Sequence, residues 1–293
     1  MSSYTFLLLF ASAAHHVSST PPSIAQKSSN HLLYSDKKTK VDEAASNSSH
    51  DALHGGKRFN QFGMMGVAGS KYAVWILILL EILAYLLSIS PNSSLSTTLL
   101  PILLPGKWFN LYHSDIHIQT YPHSLVPIFD VSPPTKFFWF CISSILIGYV
   151  IRRECFRVMG RHFSFTHTTL ENHQLITEGP YSIVRHPSYT GEVLVRGGTA
   201  LLLLRPGGFV AQCGALSTAH FLSFTDSGFS LPQLMLLTSV RICLAFYVGW
   251  ILFGCSFLIY RAPLEDKTLH ETFGKTWEEY SKRVPYRFFP LVA

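Results

Sequence analysis

The stretch HQLITEGPYSIVRHPSYTGE, His173 to Glu192, gathers two histidines, two tyrosines, an arginine and two glutamates around two prolines. Gly179 and Pro180 predict a turn, while Pro187 biases His186 away from helix and can itself open one. Free amides at such a helix start attract a carboxylate or phosphate, and Arg185 adds positive charge beside them. Tyr181, His186 and Tyr189 offer aromatic faces and hydrogen-bonding groups suited to a purine or a sulfonium. The same residue types also anchor loops among lipid headgroups, and spacing alone leaves both readings open. A second polar stretch, Arg261 to Arg287, has Leu269, Phe273, Trp277 and Tyr280 at helical spacing and predicts an amphipathic C-terminal helix beginning near Pro263. Arg261 and Glu265 fall on one face of its first turn. They form either a ligand-binding pair or an i,i+4 salt bridge of the kind that stabilises a helix by only ~0.2–0.5 kcal/mol.

Hydrophobic elements must position these two stretches. Of the 293 residues 48% are hydrophobic and 14% charged, and the mean hydropathy is +0.25, values that favour a membrane protein over a soluble one. Four apolar runs read as helical spans: Ala73 to Ser90, Phe137 to Ile151, Tyr189 to Val210 and Leu231 to Tyr260. Leu99 to Leu104 and Gly207 to Leu222 are apolar enough to lie in the interface or re-enter, which allows a fifth. The run from Tyr189 is interrupted by Arg196, Gly197, Gly198 and Arg205, so it predicts a protein-lined rather than lipid-facing environment. Arg152, Arg153, Arg157 and Arg161 form one basic cluster, and Lys275, Lys282, Arg283 and Arg287 another. Excess Lys and Arg mark the cytosolic side of a membrane, and two spans between the clusters put both there. This fits better than nucleic-acid binding.

The first 70 residues read as an N-terminal extension, disordered from Ser18 to Gly56, with Tyr4 to Ala14 resembling a signal-peptide core that lacks a basic start. Residues 71–130 hold the first span and a luminal loop, and residues 131–293 the core. The expected fold class is an all-α integral membrane protein, a bundle of about four or five spans with a cytosolic cofactor-binding loop. Five cysteines without a CxxC pair, and the absence of HEXXH, give no reason to expect a metal site.

Taken together, GRHFSF at 160–165, His173, Leu175, GPY at 179–181, RHPSYTG at 185–191, Arg261, Glu265 with Asp266, Leu269, Phe273 with Gly274, and RVP at 283–285 resemble the isoprenylcysteine carboxyl methyltransferase family. The resemblance covers roughly residues 131 to 290. It implies S-adenosylmethionine as methyl donor, the C-terminal carboxylate of a prenylated cysteine as acceptor, and prenylated proteins as clients. It further implies a multi-pass endoplasmic reticulum protein with its active site facing the cytosol. Carried onto this chain, the donor would be held by His173, Gln174, Leu175, Ile176, Tyr181, His186, Pro187, Ser188 and Tyr189, with Glu265 from the tail. Arg261 would hold the acceptor carboxylate, and Arg261 and Glu265 would be the catalytic pair. The chain departs from the family at Asp266, where a second glutamate is common, and in lacking a glutamine upstream of His173. No Gly-rich turn of a soluble nucleotide-binding sheet is present. RHPSYTGE and the closing VPYR also resemble membrane sterol reductases that use NADPH. Phospholipid N-methylation is a further alternative.

Overall fold

A computed structural model describes residues 3–20, 57–107, 127, 129–130, 135–160, 175–217 and 230–290. Every regular element among them is helical: α1 (Ser3–Ser18), α2 (Lys57–Ile89), α3 (Ser94–Leu103), α4 (Lys136–Met159), a 3₁₀ turn (Gly179–Ser182), α5 (Pro187–Leu204), α6 (Phe209–Gln212), α7 (Leu231–Phe273) and α8 (Lys275–Arg283). Part of the expected N-terminal extension is therefore helical, in α1 and at the start of α2, while residues 21–56 lie outside the described residues.

Helices occur at all four expected span positions, but among the described residues three segments are long and apolar enough to cross a membrane: Met65–Ile89, Pro187–Gln212 and Leu231–Phe273. In α4 the apolar run stops at Arg152 and Arg153, which leaves it short of that standard. Pro187–Gln212 is the least apolar of the three, with mean hydropathy 1.3 against 2.3 and 2.2, and the most buried, at 56% against 33% and 11%. Its arginines sit against protein rather than lipid, which is how a span tolerates them.

The chain divides into two compact units, one of Met1–Ala13, Ser70–Ile145 and Gly197–Leu252, the other of Ala14–Gly69, Leu146–Arg196 and Phe253–Ala293. Within the first, Arg205 donates to the Glu81 carboxylate and to the Tyr4 hydroxyl, and Tyr4 donates to Glu81. The Phe209 amide completes the carboxylate shell at 3.3 Å, and the Arg205 guanidinium lies 5.4 Å from the Phe138 ring centroid. Glu81 is 1% exposed and Arg205 5%, so each charge depends on the other. The two apolar stretches that looked re-entrant also meet in this unit. The Gly106 amide donates to Cys213 at 3.0 Å, and a Cβ on Gly106 would stand 2.8 Å from the Gly214 Cα, so only glycine permits the approach.

Glycines likewise set how α4 and α5 pack. A Cβ on Gly198 would lie 2.9 Å from Ile145, and in the second unit a Cβ on Gly191 would lie 2.7 Å from Arg152 Cγ and 2.9 Å from the Gly148 carbonyl. Small residues let helix backbones approach this closely in membranes.

The C-terminal helix differs from its expected form. α7 runs unbroken through Pro263 to Phe273, and the break comes at Gly274, whose φ of 51° suits glycine. Leu269, Phe273, Trp277 and Tyr280 are therefore divided between two helices. A proline inside a helix removes one backbone donor, and here the helix continues past that loss.

Candidate active site

In the second unit the chain reaches the site through a turn that its sequence prescribes. Gly179 takes φ 59°, Pro180 starts the 3₁₀ turn, and Tyr181 points inward, 8% exposed. The Tyr280 hydroxyl of α8 donates to the Tyr181 carbonyl at 2.8 Å. Burial pushes the Tyr280 hydroxyl up to about 12 and Tyr181 well above the usual tyrosine range, so both remain protonated donors. The following residues are held by the C-terminal strand of chain. The Arg185 amide donates to Tyr286 at 2.9 Å, the His186 amide to Arg287 at 2.8 Å, and the Thr190 hydroxyl to the Phe288 carbonyl. Pro187 then opens α5, as its fixed φ favours.

His186, 7% exposed, bridges two acids of α7. Its Nε2 lies 3.0 Å from Asp266 Oδ1 and its Nδ1 3.4 Å from Glu265 Oε2. The Tyr189 hydroxyl donates to Glu265 Oε1 at 2.7 Å, and Arg261 Nε donates to the same oxygen at 2.8 Å. Asp266 also receives Arg185 at 3.1 Å and Arg287 at 3.2 Å. The His186 and Tyr189 rings stack with centroids 5.4 Å apart, and Phe288 closes against both. Arg261 and Glu265 do form an i,i+4 pair, yet Glu265 is at the same time the point where the loop and α7 join.

Three arginines face two carboxylates here, Arg185, Arg261 and Arg287 against Glu265 and Asp266. Among the described residues the excess is positive even before His186 is counted, which favours an anionic ligand. Burial opposes the charged imidazole, but hydrogen bonds to Asp266 and Glu265 outweigh it and raise the His186 pKa above its ordinary value. The stability that the charged ring supplies is thus complete below about pH 6.5 and is lost as pH rises through the raised value. The thermal midpoint is expected to fall as pH rises through that window above 6.5 in the native chain, and the His186→Gln variant to lack that decline. A midpoint curve of the same shape in both proteins would contradict the assignment.

Of the residues singled out from sequence, Tyr181, His186, Pro187, Ser188, Tyr189, Arg261 and Glu265 are brought into or beside this network. Leu175 and Ile176 are half-buried in the irregular chain leading to the turn. His173 and Gln174 lie outside the described residues. Asp266, Arg287 and Phe288 were not selected. Asp266 stood out in the sequence only as a departure from the family, and nothing local links Arg287 or Phe288 to a loop a hundred residues earlier.

The family model for the isoprenylcysteine carboxyl methyltransferase family matches residues 140–225, which include the whole RHPSYTG motif. Arg261 and Glu265 lie beyond that segment and are joined to it through His186 and Tyr189. Protein-S-isoprenylcysteine O-methyltransferase B of Arabidopsis thaliana is 29% identical over 150 residues, covering 50% of this chain and 56% of that protein. A probable protein-S-isoprenylcysteine O-methyltransferase of Oryza sativa subsp. indica is 29% identical over 160 residues, covering 52% and 63%. The chain thus spans less than two thirds of either relative. A Delta(14)-sterol reductase of Mus musculus is 27% identical over 124 residues, 42% of this chain but only 21% of the reductase. The matched segment carries the RHPSYTG motif, and over about half of its length the chain is similar to these methyltransferases of the isoprenylcysteine carboxyl methyltransferase family.

Proposed function

We propose that this chain methylates the C-terminal carboxylate of prenylated cysteine in proteins, using S-adenosylmethionine, at the cytosolic face of the endoplasmic reticulum membrane. The observation that carries the reading is the junction at Glu265, where a loop of mixed aromatic and histidine character, the arginine of α7 and one carboxylate converge.

The residues present fit such a donor. Among the described residues Arg185 Nε and Trp277 Nε1 are buried without a hydrogen-bond partner, and the Arg185 guanidinium lies 5.9 Å from the Trp277 ring centroid. Buried donors without acceptors cost roughly 1–3 kcal/mol each, and S-adenosylmethionine carries both a carboxylate and adenine nitrogens able to accept. His173, Gln174, Leu175, Ile176, Tyr181, His186, Pro187, Ser188, Tyr189 and Glu265 would hold it. When bound, it supplies a sulfonium methyl group activated for displacement. The chain's own residues then bind and orient. A carboxylate is ionised at neutral pH and needs no general base. Arg261, permanently charged and forked, orients the acceptor carboxylate. Glu265 offsets the charge of Arg261, so the nucleophile is positioned without being fully neutralised. Alignment and exclusion of water supply the acceleration. The prenyl chain enters from the bilayer, which accounts for a polar site at the membrane edge.

The test is transfer of labelled methyl from S-adenosylmethionine to a farnesylcysteine analogue by the full chain in lipid, read as base-labile radioactivity. A parallel arm supplies NADPH and measures sterol reduction, since reduction of a sterol is the activity in the name of the mouse relative. Sterol reduction without methyl transfer would overturn the proposal. Glu265→Gln keeps the shape but removes the charge, and is expected to raise the donor KM roughly ten- to hundredfold, the value of a lost charged hydrogen bond. An unchanged donor KM would remove Glu265 from the donor side.

A further inference from the structure

Arg152 belongs by sequence to a basic cluster, yet it behaves unlike its neighbours. Arg153 and Arg157 are exposed, whereas Arg152 is 6% exposed. An arginine at the end of an apolar run ordinarily extends its charge to water. Burying it costs several kcal/mol unless the guanidinium is bonded on several sides. Here it is. Nε donates to the Ser18 carbonyl at 2.7 Å, and one terminal nitrogen donates to the Ser188 carbonyl at 3.1 Å and to the Ser188 hydroxyl at 3.3 Å. The same nitrogen lies 3.0 Å from Glu192 Oε2, and Glu192 is also paired with Arg196.

Ser188 and Glu192 are four residues apart and lie on one side of the start of α5, in its first and second turns. Tyr189, on the next residue, reaches Glu265 at 2.7 Å. Because Tyr189 stands between Ser188 and Glu192 on the same stretch of helix, a rotation or withdrawal that breaks the bonds to Arg152 also displaces Tyr189 from Glu265. Gly191 makes the arrangement possible, because a Cβ there would stand 2.7 Å from Arg152 Cγ.

We propose that Arg152 is a positioning residue: it clamps the first turn of α5 through Ser188 and Glu192 and so sets the register at which His186 and Tyr189 meet Glu265. In its consequence for donor binding the inference rests on the methyltransferase reading above. It requires no contact between Arg152 and either reactant.

The experiment uses the full chain in lipid nanodiscs with S-adenosylmethionine and a farnesylcysteine analogue, comparing the native protein with Arg152→Met, Arg152→Lys, Ser188→Ala and the Arg152→Met/Ser188→Ala double variant. Arg152→Met is expected to raise the donor KM roughly tenfold while kcat at saturating donor stays within about twofold, and Arg152→Lys to fall between, since lysine restores charge without the fork. Ser188→Ala leaves no buried charge unpaired and should raise the donor KM by a few-fold, with little further effect in the Arg152→Met background. Amide exchange should quicken from Ser188 to Glu192 in Arg152→Met while α8 is unchanged. Native donor KM in the variants, additive effects in the double variant, or an equal fractional loss of rate at every donor concentration would overturn the proposal. If the native chain transfers no methyl group, the methyltransferase reading fails by itself, and amide exchange decides the clamp: exchange at Ser188 to Glu192 unaltered by Arg152→Met would overturn it.

Discussion

Replacing Arg261 with alanine is expected to lower kcat/KM for a farnesylcysteine acceptor by about two to three orders of magnitude while leaving the fold intact. Arg261 donates to Glu265 at 2.8 Å and packs its guanidinium 5.9 Å from the Phe257 ring centroid. Truncation removes the group that would orient the acceptor carboxylate and leaves Glu265 without its α7 partner. Removing one member of a buried charged pair costs about 3–4 kcal/mol, and each 1.4 kcal/mol is a factor of ten. Glu265 keeps its bonds from His186 and Tyr189, so the loop should stay attached to α7. Arg261→Lys keeps the charge but loses the fork, and should recover part of the activity. Initial rates at varied acceptor separate the two variants. Native kinetics in Arg261→Ala would remove the acceptor assignment whatever the family.

The largest effect on stability is expected far from this chemistry in sequence, at Glu81 and Arg205. Arg205→Ala leaves a carboxylate that is 1% exposed with, among the described residues, only the Tyr4 hydroxyl and the Phe209 amide for support. Glu81→Ala leaves the guanidinium unmatched. Breaking a buried pair from one side costs about 3–5 kcal/mol, which for a chain of this size lowers the thermal midpoint by on the order of 10 °C. The double replacement Glu81→Leu with Arg205→Leu removes both charges together and should recover much of that loss, because apolar side chains of similar size often replace buried pairs at little cost. Thermal unfolding in lipid nanodiscs checks both results. If each single variant were as stable as the native chain, Glu81 and Arg205 would not depend on one another.

Hydropathy and motif spacing suffice to locate the helices and most of the site. Pro187 after His186 marks the start of α5 from local backbone chemistry alone, and Gly179 with Pro180 marks the turn before it. Both are constraints on one or two residues, so they are visible in the chain as written. The same holds for the apolar runs, which reflect solvent preference residue by residue. The end of the fourth expected helix is a contrast. Pro263 is an ordinary helix-breaking signal, yet α7 passes through it and stops at Gly274, where the backbone needs a positive φ.

The two polar segments, His173 to Glu192 and Arg261 to Arg287, are thus legible as chemistry in the sequence, and so are most of the side chains that carry it. Which atoms they bind is not. Whether Arg261 and Glu265 make an isolated helix pair or part of a site depends on the register between α5 and α7, through which His186 and Tyr189 reach Glu265. That register decides why Asp266, apparently only a departure from a family pattern, receives His186, Arg185 and Arg287. The packing of α4 against α5 likewise decides why Arg152 is buried while Arg153 is not. Solvent preference and backbone conformation act along the chain, whereas a buried charge is stabilised by whichever partner packing brings to it. Only the tertiary structure specifies that partner.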